Sequence, residues 1–236
     1  MKTFAKIRFF WDAFVIAFIV ALIMIPAITL FPKKKGSIMH HLNKITILLM
    51  GGKLEAAGNP DPNAEMIVMN HQGIVDIIGM EALQKNHLRW IAKKELFDMP
   101  WFGHLLKNGD MISVDRENKQ GLIKLIKDVK ESIEVKHRAV ALFPEGTRAK
   151  DQKLLKFKAG TKFIANKLGL KVQPVVITGS KHLLNEHNHT SHSSTVKYTY
   201  LPIIDVKNAS DDWYEEMKES MQKVIDDELA HHSRSR

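Results

Sequence analysis

The sequence predicts an α/β fold with a largely parallel central sheet flanked by helices, preceded by an N-terminal hydrophobic helical segment that anchors the chain to a membrane. Short apolar runs alternate with helical patterns beyond residue 58, and this alternation is typical of parallel sheets. An uncharged stretch of about 20 residues, the length that a bilayer-spanning helix needs, lies near the N-terminus. The 236 residues suffice for one domain with a sizeable core and an appended segment.

The composition narrows the class of protein. Hydrophobic residues make up 44% of the chain and charged residues 26%, which excludes a disordered or fibrous protein. The chain contains no cysteine, so disulfides, thiolate metal sites and cysteine nucleophiles are excluded. The formal net charge of +9 implies an anionic partner: a nucleic acid, an anionic membrane surface or a phosphorylated substrate.

Residues 1–58 are predicted to form a membrane-associated helical segment. Residues 13–31 carry no charge, and basic residues flank them on both sides. Lys and Arg prefer the cytoplasmic side, so the matched flanks predict a hairpin in one leaflet that bends near Pro26, on the cytoplasmic face of the inner or plasma membrane. A true span is the alternative. A cleaved signal peptide is disfavoured because Lys33–Lys35 follow, not a small-residue cleavage site. Residues 37–50 predict an interfacial helix, with a buried core helix as the alternative.

The α/β domain is predicted to comprise residues 59–236, because glycines and prolines cluster between residues 51 and 62. Apolar and β-rich runs predict strands at 66–69, 88–92, 111–114, 139–143, 172–178 and 195–204. Helical spacing of apolar residues predicts helices at 74–83, from Leu122 to Ile133, at 158–168 and from residue 210. Gly169 is expected to end the third of these helices.

The segment from Asn70 to Asp76 (NHQGIVD) lies between a predicted strand and a predicted helix, where side chains of an α/β domain face a ligand crevice. Residues five apart on a helix point about 140° away from one another, so His71 and Asp76 meet only if His71 lies on the preceding turn. A carboxylate bonded to one imidazole nitrogen fixes the tautomer and leaves the other nitrogen as a base. The alternative is a helix-capping histidine beside an unrelated surface aspartate.

Two further strand ends carry an arginine. Residues 143–148 (FPEGTR) follow a buried strand, and the N–H groups of the Gly-Thr turn together with Arg148 suit a phosphate. Its alternative is a surface turn with a solvated arginine. Residues 109–116 end in Asp115-Arg116, for which a surface ion pair is the simpler interpretation when this segment is taken alone.

The ordered set of motifs resembles the glycerolipid acyltransferase family, which includes 1-acylglycerol-3-phosphate acyltransferases. The family's N-H-x-x-x-x-D, G-x-x-x-I-D-R, F-P-E-G-T-R and V-x-P-V blocks have counterparts at residues 70–76, 109–116, 143–148 and 172–175. The resemblance runs from about residue 59 to about residue 179. Gly73 departs from the family's usual serine, and the second block reads Ser-Val-Asp-Arg where Phe-Ile-Asp-Arg is commoner.

The resemblance implies transfer of a fatty acyl group from acyl-carrier protein or acyl-coenzyme A to the sn-2 hydroxyl of lysophosphatidic acid. The product would be phosphatidic acid for phospholipid biosynthesis, with no cofactor and no metal. His71 is implied as the base and Asp76 as its orienting partner. The implied substrate-binding residues are Lys93, Arg116, Glu145, Gly146, Thr147 and Arg148. Another acceptor, such as glycerol 3-phosphate or a different lysophospholipid, remains the alternative.

Other classes of function fit the sequence less well. A hydrolase is disfavoured because the chain has no G-x-S-x-G and no H-E-x-x-H motif. A nucleic-acid partner is disfavoured because no zinc-finger or RNP-like motif occurs and much of the basic charge flanks the membrane segment. A non-catalytic membrane-surface protein explains the N-terminus but not the chemistry at successive strand ends. The histidines between residues 182 and 192 are interpreted as part of a solvated loop, in preference to a metal site.

Overall fold

The computed structural model of the protein describes residues 2–115 and 119–231. The strands are β1 (Gly52–Ala57), β2 (Met66–Met69), β3 (Arg89–Lys93), β4 (Ile112–Val114), β5 (Val140–Leu142), β6 (Lys171–Thr178), β7 (Leu184–Asn185), β8 (Thr190–Ser191), β9 (Ser194–Tyr200) and β10 (Ile204–Asp205). The α-helices are α1 (Lys2–Phe18), α2 (Ile25–Leu30), α3 (Lys35–Leu49), α4 (Ile74–Leu83), α5 (Lys94–Phe97), α6 (Phe102–Asn108), α7 (Lys119–Glu134), α8 (Ala159–Leu168), α9 (Ser180–Leu183) and α10 (Trp213–His231).

The central sheet has the strand order β1-β9-β6-β2-β5-β3-β4 within the described ranges, and β10 also pairs with β6. All neighbours from β6 to β4 are parallel, as is the pair β1–β9. Strands β9 and β10 pair antiparallel with β6, and β1 therefore runs in the same direction as β9. The predicted α/β class with a largely parallel sheet is therefore confirmed. The carboxyl ends of β2, β5, β3 and β4 therefore lie next to one another at one edge of the sheet.

The core lies on both faces of the sheet because side chains alternate along each strand. In β2, Met66 and Val68 pack in a cluster with α7, α8 and α10, while Ile67 and Met69 pack on the opposite face with α3 and α4. Both faces are covered, so the central strands have continuous apolar runs without alternation of polar residues, as in MIVM at β2.

The predicted elements beyond residue 58 are present, with small shifts at their ends. The helix at α4 and the strand at β2 have the predicted bounds, and Gly169 ends α8 in the left-handed conformation (φ 60°). The run predicted at residues 195–204 divides into β9 and β10. Helix α6 and strand β1 were not predicted, and β1 pairs with β9 through six residues. Residues 1–58 thus contribute an edge strand to the sheet, and their separation from residues 59–236 as a domain stays a prediction.

The N-terminal apolar segment forms one helix, Thr3–Leu30, whose 28 residues are long and apolar enough to cross a membrane. The helix is not interrupted at Pro26, where the hairpin was predicted to turn. Because proline has no N–H, the preceding turn widens into a π-helix at Ile19–Met24, and the helical path continues. The chain reverses instead at the 3₁₀ turn Pro32–Lys34, after which α3 returns along the helix.

Helix α3 combines the two interpretations of residues 37–50. One face of α3 is buried: Ile47 packs in a cluster with residues of α4, and Met39 packs with the long N-terminal helix. The other face presents Leu48 and Leu49, which are 74% and 55% exposed. The helix therefore has one face in the protein core and a second, apolar face directed outward.

Candidate active site

His71 and Asp76 meet at the carboxyl end of β2. His71 lies on the turn after the strand and Asp76 is the third residue of α4, so the Nδ1 atom of His71 is 2.9 Å from Oδ2 of Asp76. The same carboxylate oxygen accepts the backbone N–H groups of Gln72 (2.6 Å) and Gly73 (2.9 Å). Asp76 is fully buried. The N–H groups at the start of α4 therefore hold the Asp76 carboxylate in position, and the carboxylate in turn orients the imidazole of His71.

Gly73 lies on the turn between His71 and Asp76, but its backbone conformation does not require glycine. Its φ of −175° is extended and open to any residue. A Cβ atom at this position would meet Oε1 of Glu186 at 3.6 Å, an ordinary contact. The serine that the family usually carries here is thus compatible with the local geometry.

Two residues of the FPEGTR segment, Phe143 and Glu145, contact His71. The ring of Phe143 stacks on the imidazole with a centroid distance of 3.8 Å and an interplanar angle of 10°. Glu145 is 1% exposed, and its two carboxylate oxygens accept the N–H groups of His71 and Leu155, both at 2.8 Å. Burial raises the pKa of Glu145, and these two hydrogen bonds oppose the increase. Glu145 was predicted to bind substrate, but the structure places it as a buried brace for the backbone of His71.

Gly146, Thr147 and Arg148 form the exposed part of this segment. Gly146 turns the chain with a φ of 71°, a conformation that favours glycine, and its N–H donates to the carbonyl of Phe143 (3.1 Å). Thr147 and Arg148 are exposed on the turn, and the next residue, Ala149, donates its N–H to the carbonyl of His71 at 2.8 Å. The guanidinium of Arg148 forms an ion pair with Glu186.

Lys93, another residue predicted to bind substrate, lies on an outer strand of this edge. Lys93 ends β3 with an exposed side chain, two strands from β2. Asp115 follows β4 and lies 3.5 Å from Lys94. Arg116 lies outside the described residues, so its predicted role in phosphate binding stays a prediction.

Two charged residues of the site, Lys181 and Glu186, were not predicted; both lie in the segment after β6. Oε1 of Glu186 accepts the N–H of Ile74 (3.0 Å), the first residue of α4. Lys181 donates from Nζ to the carbonyl of Ala149 at 2.9 Å. Burial lowers the pKa of Lys181, and nearby carboxylates oppose the decrease. Neither residue belongs to a motif, and their segment drew attention only for its histidines, so no sequence signal marked them.

The histidine-rich segment is a short β7–β8 hairpin that packs on α1. Ser191 donates from Oγ to Asp12 of α1, and Arg8 donates from Nη1 to Ser193 (2.9 Å). The ring of His189 contacts Phe9 edge to face. The segment therefore packs in part against α1, whereas a solvated loop was predicted.

The geometry suits general base catalysis. A carboxylate at Nδ1 holds the proton on that nitrogen, so Nε2 carries the free electron pair. His71 is 12% exposed, enough for a substrate hydroxyl to reach the ring. The buried charge of Asp76 favours the imidazolium that forms when Nε2 takes up a proton. An anion can be held by Arg148 on the adjacent turn.

Fold and site together define an α/β acyl-transferring enzyme with an apolar N-terminal helix. Residues 60–178 match the Acyltransferase family. The chain is 42% identical over 176 residues to a 1-acyl-sn-glycerol-3-phosphate acyltransferase of Helicobacter pylori, covering 74% of each protein. It is 25% identical over 202 residues to the protein of the same name from Escherichia coli, covering 84% of this chain and 81% of that protein. The chain therefore belongs to the acyltransferase family, which confirms the resemblance drawn from its motifs.

A solved structure shares the whole fold. The crystal structure of the 1-acyl-sn-glycerophosphate acyltransferase PlsC from Thermotoga maritima superposes with a TM-score of 0.80 at 21% identity, covering 98% of both chains. The likeness includes the N-terminal helices as well as the sheet.

Proposed function

We propose that this protein acylates the sn-2 hydroxyl of lysophosphatidic acid with a fatty acyl group from a thioester, giving phosphatidic acid. The observation that carries the proposal is the 2.9 Å contact between His71 Nδ1 and the buried Asp76 carboxylate. The names of the similar proteins from H. pylori and E. coli support this acceptor.

In the proposed reaction, Nε2 of His71 removes the proton of the acceptor hydroxyl as its oxygen attacks the thioester carbonyl. The carbon–oxygen ester bond forms, the carbon–sulfur bond breaks, and the thiolate leaves with the electron pair of that bond. The proton on the imidazolium then passes to the thiolate or to water, which restores the neutral histidine. Asp76 stabilises the imidazolium throughout, and Phe143 keeps the ring in its plane.

The acceptor phosphate is proposed to bind Arg148, with Arg116 as a second ligand and Lys93 as a weaker one. Arg148 lies on the turn that follows Glu145, whose carboxylate holds the backbone of His71. This short covalent and hydrogen-bonded path keeps the backbone of Arg148 close to that of His71. Gly146 and Thr147 would contribute to the same subsite. A phosphate fixed there would orient the glycerol hydroxyl toward Nε2.

We propose that the N-terminal hairpin attaches the enzyme to the cytoplasmic face of the inner or plasma membrane. Large apolar side chains on the long helix are 43–69% exposed, namely Phe4, Ile7, Phe10, Trp11, Phe14, Phe18 and Leu22. An acceptor with a long acyl tail leaves a membrane reluctantly, because each buried CH₂ contributes about 0.8 kcal/mol. Attachment keeps the tail in the lipid while the headgroup reaches His71. The donor, acyl-carrier protein or acyl-coenzyme A, would then approach from the aqueous side.

The test is to incubate the purified protein with lysophosphatidic acid, glycerol 3-phosphate or another lysophospholipid, each with both donor types, and to identify the products by mass spectrometry. His71→Asn retains an amide near Asp76 but has no base, and it should lose nearly all transfer. The matched control is His137→Asn. His137 is exposed and has a φ of 50° that asparagine tolerates. It lies before the amino end of β5, whereas His71 lies at the carboxyl end of β2. Substantial transfer by His71→Asn, or no transfer to lysophosphatidic acid by the unchanged protein, would refute the proposal.

A further inference from the structure

Glu186 occupies a position built to receive an anion. One carboxylate oxygen accepts the N–H of Ile74 at the start of α4, and the other is paired with the guanidinium of Arg148. Helix N-termini and arginines both stabilise negative charge. Gly73, two residues from the base, borders the same carboxylate, since a Cβ there would lie 3.6 Å from Oε1. The protein's own carboxylate thus lies where the headgroup of an acceptor would approach His71.

We propose that Glu186 is a positioning residue that takes the place of the acceptor's phosphate on Arg148 while the site is empty. It holds the guanidinium in place and yields it when the phosphate arrives. This inference rests on the proposed role of Arg148 as the phosphate ligand. In this exchange one anion replaces another as the partner of the Arg148 guanidinium.

The exchange requires rotation of one side chain only. Oδ1 of Asn185 accepts the N–H groups of residues 187–188 at 3.1 and 3.0 Å, which fixes the turn that carries Glu186. Ser191 ties the hairpin to Asp12 of α1 and to the carbonyl before β7. The backbone is therefore held at both ends, whereas the side chain of Glu186 is 22% exposed and can turn toward solvent.

The competition has a consequence for both ends of the reaction. The ester product carries the same phosphate as the acceptor, so Glu186 weakens the binding of substrate and product alike. A phosphate presents more charge and more acceptor oxygens than a carboxylate, so it displaces Glu186 when it is present at sufficient concentration. When the product leaves, the carboxylate returns to Arg148, which favours release.

The experiment compares Glu186→Gln with the unchanged full-length protein in detergent micelles. Glutamine keeps an oxygen for the N–H of Ile74 but cannot form the ion pair with Arg148. Binding of glycerol 3-phosphate, used as the probe without any acyl donor, is measured by calorimetry. Glu134→Gln is the control, because Glu134 is 61% exposed and pairs with Lys130 on α7, away from the site. Arg148→Ala is combined with Glu186→Gln to test whether both act through one contact.

We expect Glu186→Gln to bind glycerol 3-phosphate about three- to fivefold more tightly, as the loss of a partly exposed ion pair allows. The gain should disappear in the Arg148→Ala background and be absent in Glu134→Gln. In acyl transfer, the KM for lysophosphatidic acid should fall by a similar factor and inhibition by phosphatidic acid should strengthen.

Unchanged or weaker probe binding in Glu186→Gln would overturn the inference, as would a gain that persists without Arg148. A merely structural role of Glu186 predicts weaker binding, because Arg148 would then lose its support. The binding comparison involves no acyl transfer, so it distinguishes failure of this inference from failure of the proposed function. If the protein did not acylate lysophosphatidic acid, the proposed function would fail, while tighter probe binding would still support Glu186 as the competitor.

Discussion

Replacing Asp76 with asparagine isolates the charge behind His71. The amide of asparagine is nearly isosteric with the carboxylate, and its oxygen can still accept the N–H groups of Gln72 and Gly73 at the start of α4. The negative charge beside Nδ1 is lost, and the amide nitrogen takes the place of Oδ1, a buried atom for which no hydrogen-bond partner is present among the described residues. We therefore expect a folded protein whose imidazolium is no longer stabilised.

The magnitude follows from that contact. A hydrogen bond to a charged group contributes about 1.5–3 kcal/mol. Since about 1.36 kcal/mol corresponds to a tenfold change in rate, kcat should fall roughly 10- to 150-fold. The complete burial of Asp76 favours the upper end of this range, because solvent does not screen the interaction. Asp76→Ala is less informative, because two buried N–H groups would each lose their acceptor at a cost of about 1–3 kcal/mol in the free energy of unfolding.

The assay is the initial rate of acyl transfer at saturating donor, combined with the thermal unfolding temperature of each variant. Asp226→Asn on α10 is a matched control, since the amide oxygen can still accept the hydrogen bond that Gln222 donates to this exposed residue at 2.8 Å. Because His71 and Asp76 act as a unit, the double variant should be little worse than His71→Ala alone. A rate for Asp76→Asn within twofold of the unchanged protein would refute the reasoning.

Three further predictions concern the phosphate, pH and topology. Arg148→Ala or Arg116→Ala should each weaken use of lysophosphatidic acid by about 1.5–3 kcal/mol in kcat/KM, and much less for an acceptor without phosphate; equal losses would make the arginine structural. Burial raises the pKa of Glu81 from 4.5 to about 7, so the fold favours the protonated acid. Its contribution to stability is present below pH 4.5 and is lost as the pH rises through 7. Glu81→Gln should therefore be more stable than the unchanged protein at pH 8 and similar at pH 4.5, measured by chemical unfolding; a gain confined to low pH would contradict this. Cysteines placed at Thr3 and Lys53 should react with a membrane-impermeant reagent from the same side, and reaction from opposite sides would mean a true span.

His71 and Asp76 show how much of the site the sequence predicts. His71 and Asp76 were predictable because both partners lie within one strand–turn–helix unit, and α4 begins where the apolar pattern changes period. The strand ends could be placed on one edge because parallel strands share their direction. Local pattern also gave the helix end at Gly169, where the backbone needs a left-handed residue.

The role of Glu145 required the tertiary structure. Its motif places it on a turn, and a charged residue on a turn is ordinarily solvated. The structure buries it because the N–H groups of His71 and Leu155 converge on its two oxygens from different segments. Pairing between segments that are 74 residues apart leaves no local signature.

The sequence by itself determined the α/β class, the apolar N-terminal helix, and the histidine–aspartate pair, since each depends on spacing within a short stretch of chain. Tertiary structure alone decided that the chain reverses at Pro32–Lys34 and that β1 joins the sheet. It also decided that Glu186, 38 residues beyond Arg148, forms an ion pair with it. Such contacts depend on how the β7–β8 hairpin packs against α1 and α4. That packing joins surfaces that are distant in sequence, so no periodicity along the chain predicts it.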